Sequence, residues 1–114
     1  MIRLTFAALL ALSAPALAET VATGVEISAA ISDNTVQGSM SATGAYSEFY
    51  GADGAIKGKD YTGTWTVEGD KMCFNYGEAP DCWNVRIAGD AVTWVQDGVD
   101  GGTGTIVAGN PNGF

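Results

Sequence analysis

The stretch Met72–Ile87, MCFNYGEAPDCWNVRI, contains two strand-like runs and the only two cysteines of the chain. The runs Met72–Tyr76 and Cys82–Ile87 flank the turn-forming sequence GEAPD. Placing Cys73 opposite Cys82 predicts an antiparallel hairpin that a disulfide can close. Closing so short a loop stabilises a fold by about 2–3 kcal/mol on the chain-entropy model.

The same register separates apolar from polar side chains in this hairpin. It places Met72 opposite Trp83, and the face that they share is apolar. That face carries Met72, Phe74, Tyr76, Trp83, Val85 and Ile87, while the other carries Asn75, Asn84, Arg86 and the cysteines. The hairpin is therefore expected to cover a core with one side only.

Short runs rich in Thr, Val and aromatic residues continue on both sides of the hairpin. The predicted strands are Thr35–Met40, Ala45–Tyr50, Tyr61–Glu68, Met72–Tyr76, Cys82–Ile87, Ala91–Gln96 and Thr103–Val107. Gly- and Asp-containing turn sequences separate most of them. The pattern predicts a mainly β fold, a small antiparallel meander closed or nearly closed into a barrel, because an open sheet would leave long unpaired edges.

One short N-terminal helix is predicted before the strands. The sequence TGVE at residues 23–26 fits a capping box. Val25 and Ala29, and less regularly Ile27 and Ile31, fall toward one side of such a helix. The same residues also alternate as in a strand, and only the cap favours the helix.

The N-terminus has the pattern of a secretory signal peptide. Arg3 precedes the apolar run Thr5–Leu12, and the small residues of Ala16–Ala18 form a cleavage site. We therefore expect residues 1–18 to be removed, leaving residues 19–114 as a single β-barrel-like domain. The expected location is periplasmic or secreted, with no membrane span in the mature form, and Cys73 and Cys82 are expected to be oxidised there.

Charge excludes one class of partner. The mature chain has thirteen acidic against four basic residues, which gives a net charge of −9 without any histidine. Such a surface repels nucleic acid and anionic lipid, so we expect no nucleic-acid partner.

The residue types do not favour catalysis. The absence of histidine removes His-based triads and the usual general base at neutral pH. A carboxylate pair as in a glycosidase is conceivable if Glu48, Glu68 or Glu78 approaches an Asp across a sheet, but thirteen acids make such coincidences common. We expect no catalytic residue and no enzyme activity.

A flexible acidic segment, residues 97–102 (DGVDGG), raises the question of calcium. Its spacing matches neither an EF-hand nor a β-roll repeat, so a solvated turn is favoured. We expect no metal ion and no cofactor.

Aromatic residues are the remaining candidates. Trp65, Phe74, Trp83 and Trp94 are predicted to lie in the core. Tyr46, Glu48 and Tyr50 share one face of their strand while Phe49 lies on the other, and either face fits the interior. If the first face points inward, it buries an acid that needs partners, which suggests a polar ligand pocket. Tyr46, Glu48 and Tyr50 are therefore the candidate ligand-binding residues.

Several short motifs together resemble those of a protein group. They are the Y-x-x-D-G of residues 50–54, Gly63-Thr64-Trp65, Met72-Cys73-Phe74 and the second cysteine, Cys82. Over residues 35–111 the chain resembles small exported bacterial proteins with a lipocalin-like, or calycin-type, β-barrel. The resemblance implies the barrel but no activity. More distantly, the chain is similar to exported β-barrel inhibitors of bacterial metalloproteases, whose disulfide and inhibitory N-terminal segment lie elsewhere.

The expected function is that of a non-enzymatic binding module for an unknown protein or small-molecule ligand. Small barrels are commonly filled by their own side chains, which favours a macromolecular partner. The alternatives are an inhibitor of an exported hydrolase and a carrier of a small molecule.

Overall fold

Eight antiparallel strands form a closed barrel in the computed structural model, which describes residues 20–114. The predicted signal peptide lies outside the described residues. Helix α1 spans Gly24–Ile31 and is followed by β1 Asn34–Met40, β2 Gly44–Tyr50, β3 Ala55–Lys57, β4 Thr62–Glu68, β5 Lys71–Asn75, β6 Asp81–Ala88, β7 Ala91–Gln96 and β8 Val99–Ala108. Each strand pairs with the next, and β8 pairs with β1. The predicted mainly β barrel with one short helix is confirmed.

The number of strands differs from the seven predicted. The additional strand, β3, has only three residues, which is too short to show an alternating pattern. Strand β8 begins at Val99 rather than Thr103, because its glycines weaken the strand signal in the sequence. None of the described helices is long and apolar enough to cross a membrane.

The hairpin of β5 and β6 has the predicted register. Met72 pairs with Trp83, and Cys73 pairs with Cys82. The two cysteines form a disulfide, with their Cα atoms 3.9 Å apart. It links the two strands on the outer side of the barrel, opposite the face of Met72, which is fully buried.

The predicted capping box begins helix α1. The Thr23 amide donates to Glu26 Oε1 at 2.8 Å, and the Glu26 amide donates to Thr23 Oγ1 at 3.2 Å. These reciprocal bonds satisfy two amides that a helix start otherwise leaves without partners.

The buried face of α1 is not the predicted one. Val25 is 81% exposed and Ala29 is also exposed, whereas Ile27 and Ile31 are fully buried. Ile27 and Ile31 are one turn apart and offer the larger apolar area, so the helix turns them toward the barrel. There α1 contacts β1, β4 and β5 and closes one end of the barrel.

Aliphatic and aromatic side chains fill the barrel next to the helix. This end is called the closed end below, and the opposite end the open end. The inward-facing residues of the closed end include Val36, Ile56, Trp65, Met72, Val85 and Val92. The Trp65 indole donates to the carbonyl of Gly51 at 2.9 Å, which satisfies its buried N–H.

Candidate ligand-binding site

The open end of the barrel contains a cavity of about 900 Å³. Its walls are mostly aromatic and are formed by Tyr46, Tyr50, Tyr61, Phe74, Tyr76, Trp83 and Trp94. The β1–β2 turn and the start of β8 form its rim. The expectation that side chains fill the barrel is therefore wrong at this end. The volume lies within the roughly 300–1,000 Å³ typical of small-molecule sites.

Two glycines of β8 make room for the ring systems of the wall. A Cβ atom on Gly104 would collide with the Tyr46 hydroxyl, and one on Gly101 would lie 2.6 Å from the Trp83 ring. The glycines that weakened the strand signal in the sequence thus let large side chains lie against the β8 backbone.

Strand β2 turns its predicted ligand-binding residues inward. Tyr46, Glu48 and Tyr50 all line the cavity, with Glu48 only 7% and Tyr50 1% exposed. Phe49 lies on the other side of the strand. The sequence left open which face of β2 points inward, and the structure answers that question.

Three tyrosine hydroxyls converge on the Glu48 carboxylate. Tyr50 donates to Oε1 at 2.5 Å and Tyr61 donates to Oε2 at 2.6 Å. The Tyr76 hydroxyl lies 3.0 Å from Oε1 and 2.9 Å from Oε2. We call Glu48, Tyr50, Tyr61 and Tyr76 the tyrosine–glutamate cluster. Its hydrogen bonds supply the partners that a buried acid requires.

The environment of the cluster keeps its phenols protonated. Burial, followed by the hydrogen bond to Glu48 and its charge, raises the pKa of Tyr61 well above 10.0. Burial and the nearby Glu48 charge raise the pKa of Tyr76 and of Tyr50 in the same way. At neutral pH all three therefore act as hydrogen-bond donors to the carboxylate.

Sequence reasoning did not assign Tyr61 and Tyr76 to the site. Tyr61 precedes β4 and Tyr76 follows β5, so each lies just outside a regular strand. The inward alternation Met72, Phe74, Tyr76 was a signal for the second of them. For Tyr61, only the neighbouring strand pairing brings the ring to Glu48, and no local pattern indicates it.

A second hydrogen-bonded chain also lines the cavity. The Trp94 indole donates to the Tyr46 hydroxyl at 2.8 Å, which in turn donates to the Thr103 carbonyl at 3.0 Å. Burial raises the pKa of Tyr46. The Trp83 indole donates to Asp81 Oδ2 at 3.0 Å. The phenol and indole protons of the wall are thus all used within the protein.

Edge-to-face contacts fix the rings relative to one another. Phe74 contacts Trp94 at a centroid distance of 5.4 Å and Tyr50 at 6.0 Å. Tyr61 and Tyr76 pack against each other at 6.0 Å. Such geometry is preferred by aromatic pairs and organises the wall before any ligand arrives.

Charges at the cavity are negative. Glu48, Asp81 and Asp100 line it, whereas no lysine or arginine of residues 20–114 does. Asp100 forms an ion pair with Arg86 at 2.6 Å. This is the one ion pair within the described part of the chain, so the partners of Glu48 are hydroxyls and not cations.

The acidic segment at residues 97–102 lies partly at the cavity, where Asp100 and Gly101 belong to the rim. Asp97 and Gly98 both have positive φ, 52° and 79°, and form a two-residue turn between β7 and β8. The turn favoured from the sequence is thus shorter than the acidic segment, because residues 99–102 belong to β8. Residues 20–114 contain no group of three or more His, Cys, Asp or Glu arranged to hold a metal ion. Glu68 and Glu78 are exposed and do not line the cavity with Glu48.

No protein-family model matches the chain, and no curated protein or solved structure matches it significantly. The structure itself shows the barrel, while the resemblance to lipocalin-like exported proteins remains a prediction.

Proposed function

We propose that this protein is a non-enzymatic binding module that holds a small molecule in the open end of its barrel. The observation that carries the proposal is the cavity of about 900 Å³ between aromatic walls. Concave, mostly apolar spaces with a few fixed polar groups are the usual form of small-molecule sites.

The cavity changes the preference among the functions expected from the sequence. A macromolecular partner was favoured because a filled barrel has only its surface to offer. An unfilled open end favours a carrier or sensor of a small molecule instead. Because hydrogen bonds already hold the rings in place, less side-chain entropy is lost when a ligand binds.

The inhibitor alternative receives less support. It depends on a flexible segment before α1, but Ala22 is 7% exposed and its amide donates to the Val85 carbonyl at 2.7 Å. A segment attached to the barrel in this way is poorly suited to enter the cleft of an enzyme.

The proposed place of action is the periplasm or the cell exterior. The disulfide between Cys73 and Cys82 is compatible with an oxidising compartment, where such bonds persist. The predicted signal peptide points the same way.

The test uses the neutral apolar fluorophore N-phenylnaphthylamine with the disulfide-bonded protein. We expect saturable binding at one site, with strong emission from the bound fluorophore. Met40 lines the cavity, so Met40→Trp should fill part of it and weaken binding at least about tenfold. Val25→Trp adds the same side chain on the exposed face of α1 and should change nothing. Absence of saturable binding, or equal loss in both variants, would refute the proposal.

A further inference from the structure

The cavity floor is the part formed by the tyrosine–glutamate cluster, and the polar atoms that it presents are hydrogen-bond acceptors. Tyr50, Tyr61 and Tyr76 each direct their single hydroxyl proton to Glu48. What these groups still offer a ligand is lone pairs on phenol and carboxylate oxygens. A ligand that reaches the floor must therefore supply the N–H or O–H donors itself.

The other polar aromatic side chains of the cavity follow the same rule. The protons of Trp94, Tyr46 and Trp83 are directed to other protein atoms. At the rim, the hydroxyls of Ser41, Thr43 and Thr62 can either donate or accept and so do not discriminate between ligands. An anionic ligand would find no fixed side-chain donor among these groups.

The charge of the floor points to a cation. Glu48 is 7% exposed and is held by neutral hydroxyls, so its negative charge is shielded only weakly by solvent. Asp81, which is exposed, adds a second carboxylate to the cavity lining. A positive group beside them gains more than it would in water, because the effective dielectric constant of a partly buried site is lower.

The aromatic wall suits the same kind of ligand. Phe74, Trp83 and Trp94 line the cavity together with all four tyrosines of the chain. Ring faces attract ammonium groups and also pack against an apolar body. The net charge of −8 over the whole chain favours the approach of cations.

We infer that the ligand class is a small organic ammonium ion with an apolar or aromatic body. Its ammonium group would lie beside the Glu48 end of the cavity and its body among the rings of Phe74, Trp83 and Trp94. This inference rests on the proposed function, since it names the ligand of the same cavity.

The experiment compares three probes of nearly equal shape: phenethylammonium, neutral phenethyl alcohol and anionic phenylpropionate. Each is titrated against protein loaded with N-phenylnaphthylamine, and displacement is measured. We expect phenethylammonium to bind at least about tenfold more tightly than the alcohol, and the alcohol more tightly than the anion. The trimethylated form of phenethylammonium separates the role of the charge from that of hydrogen bonding, because it keeps the charge and lacks the N–H donors.

Charge-neutralising variants test which carboxylates cause the preference for phenethylammonium. Glu48→Gln should remove most of the preference for phenethylammonium over phenethyl alcohol. Asp81→Asn should reduce it by a smaller factor and changes a more exposed residue, so it stays informative if Glu48→Gln does not fold. Glu68→Gln is the matched control, because Glu68 is exposed and lies outside the cavity. The Glu68→Gln variant should prefer phenethylammonium over phenethyl alcohol by the same factor as the unaltered protein.

The outcomes distinguish the two proposals. Binding of phenylpropionate as tightly as phenethylammonium, or a preference unchanged by both Glu48→Gln and Asp81→Asn, would overturn the ammonium inference while leaving a small-molecule site in place. If N-phenylnaphthylamine itself does not bind, the proposed function and this inference fail together.

Discussion

The two ends of the barrel are built from the same eight strands but differ in what fills them. At the closed end, Ile27 and Ile31 of α1 meet a layer of side chains such as Val36 and Val85, all without exposed surface. At the open end, large aromatic side chains surround a cavity, and polar groups such as Glu48 take part in the wall.

The difference separates two tasks along one set of strands. Close packing of aliphatic groups at the closed end provides stability through burial, which scales with the apolar area removed from water. The open end leaves apolar surface uncovered and uses buried hydrogen bonds to hold its shape, which adds less net stability. In a domain this small, the closed end must therefore carry most of the folding free energy.

The largest contrast between the ends is expected from truncating one apolar side chain at each. Ile31→Ala removes a fully buried side chain and should lower the free energy of unfolding by about 3 kcal/mol. Met40→Ala enlarges a space that is already open and should cost about 1 kcal/mol. Urea unfolding followed by circular dichroism measures both.

Equal losses in these two variants would contradict the division of tasks. N-phenylnaphthylamine binding provides a second readout, since Ile31→Ala should leave it nearly unchanged under folding conditions.

A smaller effect is expected at the wall between β5 and β6. These strands share only three paired positions, and the disulfide joins the middle pair. Cys73→Ser should lower the free energy of unfolding by about 2–3 kcal/mol, because the closed loop no longer restricts the unfolded chain. Asp100→Asn breaks an ion pair whose acid is largely exposed and should cost less than about 1 kcal/mol.

Thermal unfolding of both variants checks the comparison, and reduction of the unaltered protein should reproduce the loss seen in Cys73→Ser. If Cys73→Ser and Asp100→Asn lower the melting temperature equally, the disulfide is not a main support of the open end.

The sequence predicts the closed end better than the open end. The capping sequence at residues 23–26 and the buried Trp65 depend on neighbours in the chain or on the alternation within one strand. Even there, the prediction of the buried face of α1 was wrong. A helix of two turns follows the shape of the barrel end more than its own weak periodicity.

The open end depends on contacts between distant residues. Tyr61 lies 13 positions and Tyr76 lies 28 positions from Glu48, and closure of the barrel brings their hydroxyls to one carboxylate. Alternation in β2 could identify Tyr46, Glu48 and Tyr50 as one face, but the direction of that face was decided by partners that the local sequence does not reveal. Gly101 and Gly104 let the rings of Trp83 and Tyr46 lie against β8, but in the sequence they resemble ordinary turn glycines.

The smallest effect is expected from alkaline pH, with no loss of stability near neutrality. All four tyrosines line the cavity, and the folded protein raises their pKa above the ordinary value of 10.0. Since unfolding restores the ordinary pKa, the unfolded chain loses these protons first. The stability contributed by the protonated phenols is therefore complete below pH 10 and falls as the pH rises through and above 10.

Phenolate absorbance directly measures the pH at which the tyrosines lose their protons. The folded protein should develop it only above the pH at which the urea-unfolded protein does, and N-phenylnaphthylamine should be released over the same pH range. If the tyrosines of the folded protein titrate at the pH of the unfolded chain, the tyrosine–glutamate cluster does not hold the open end together in solution.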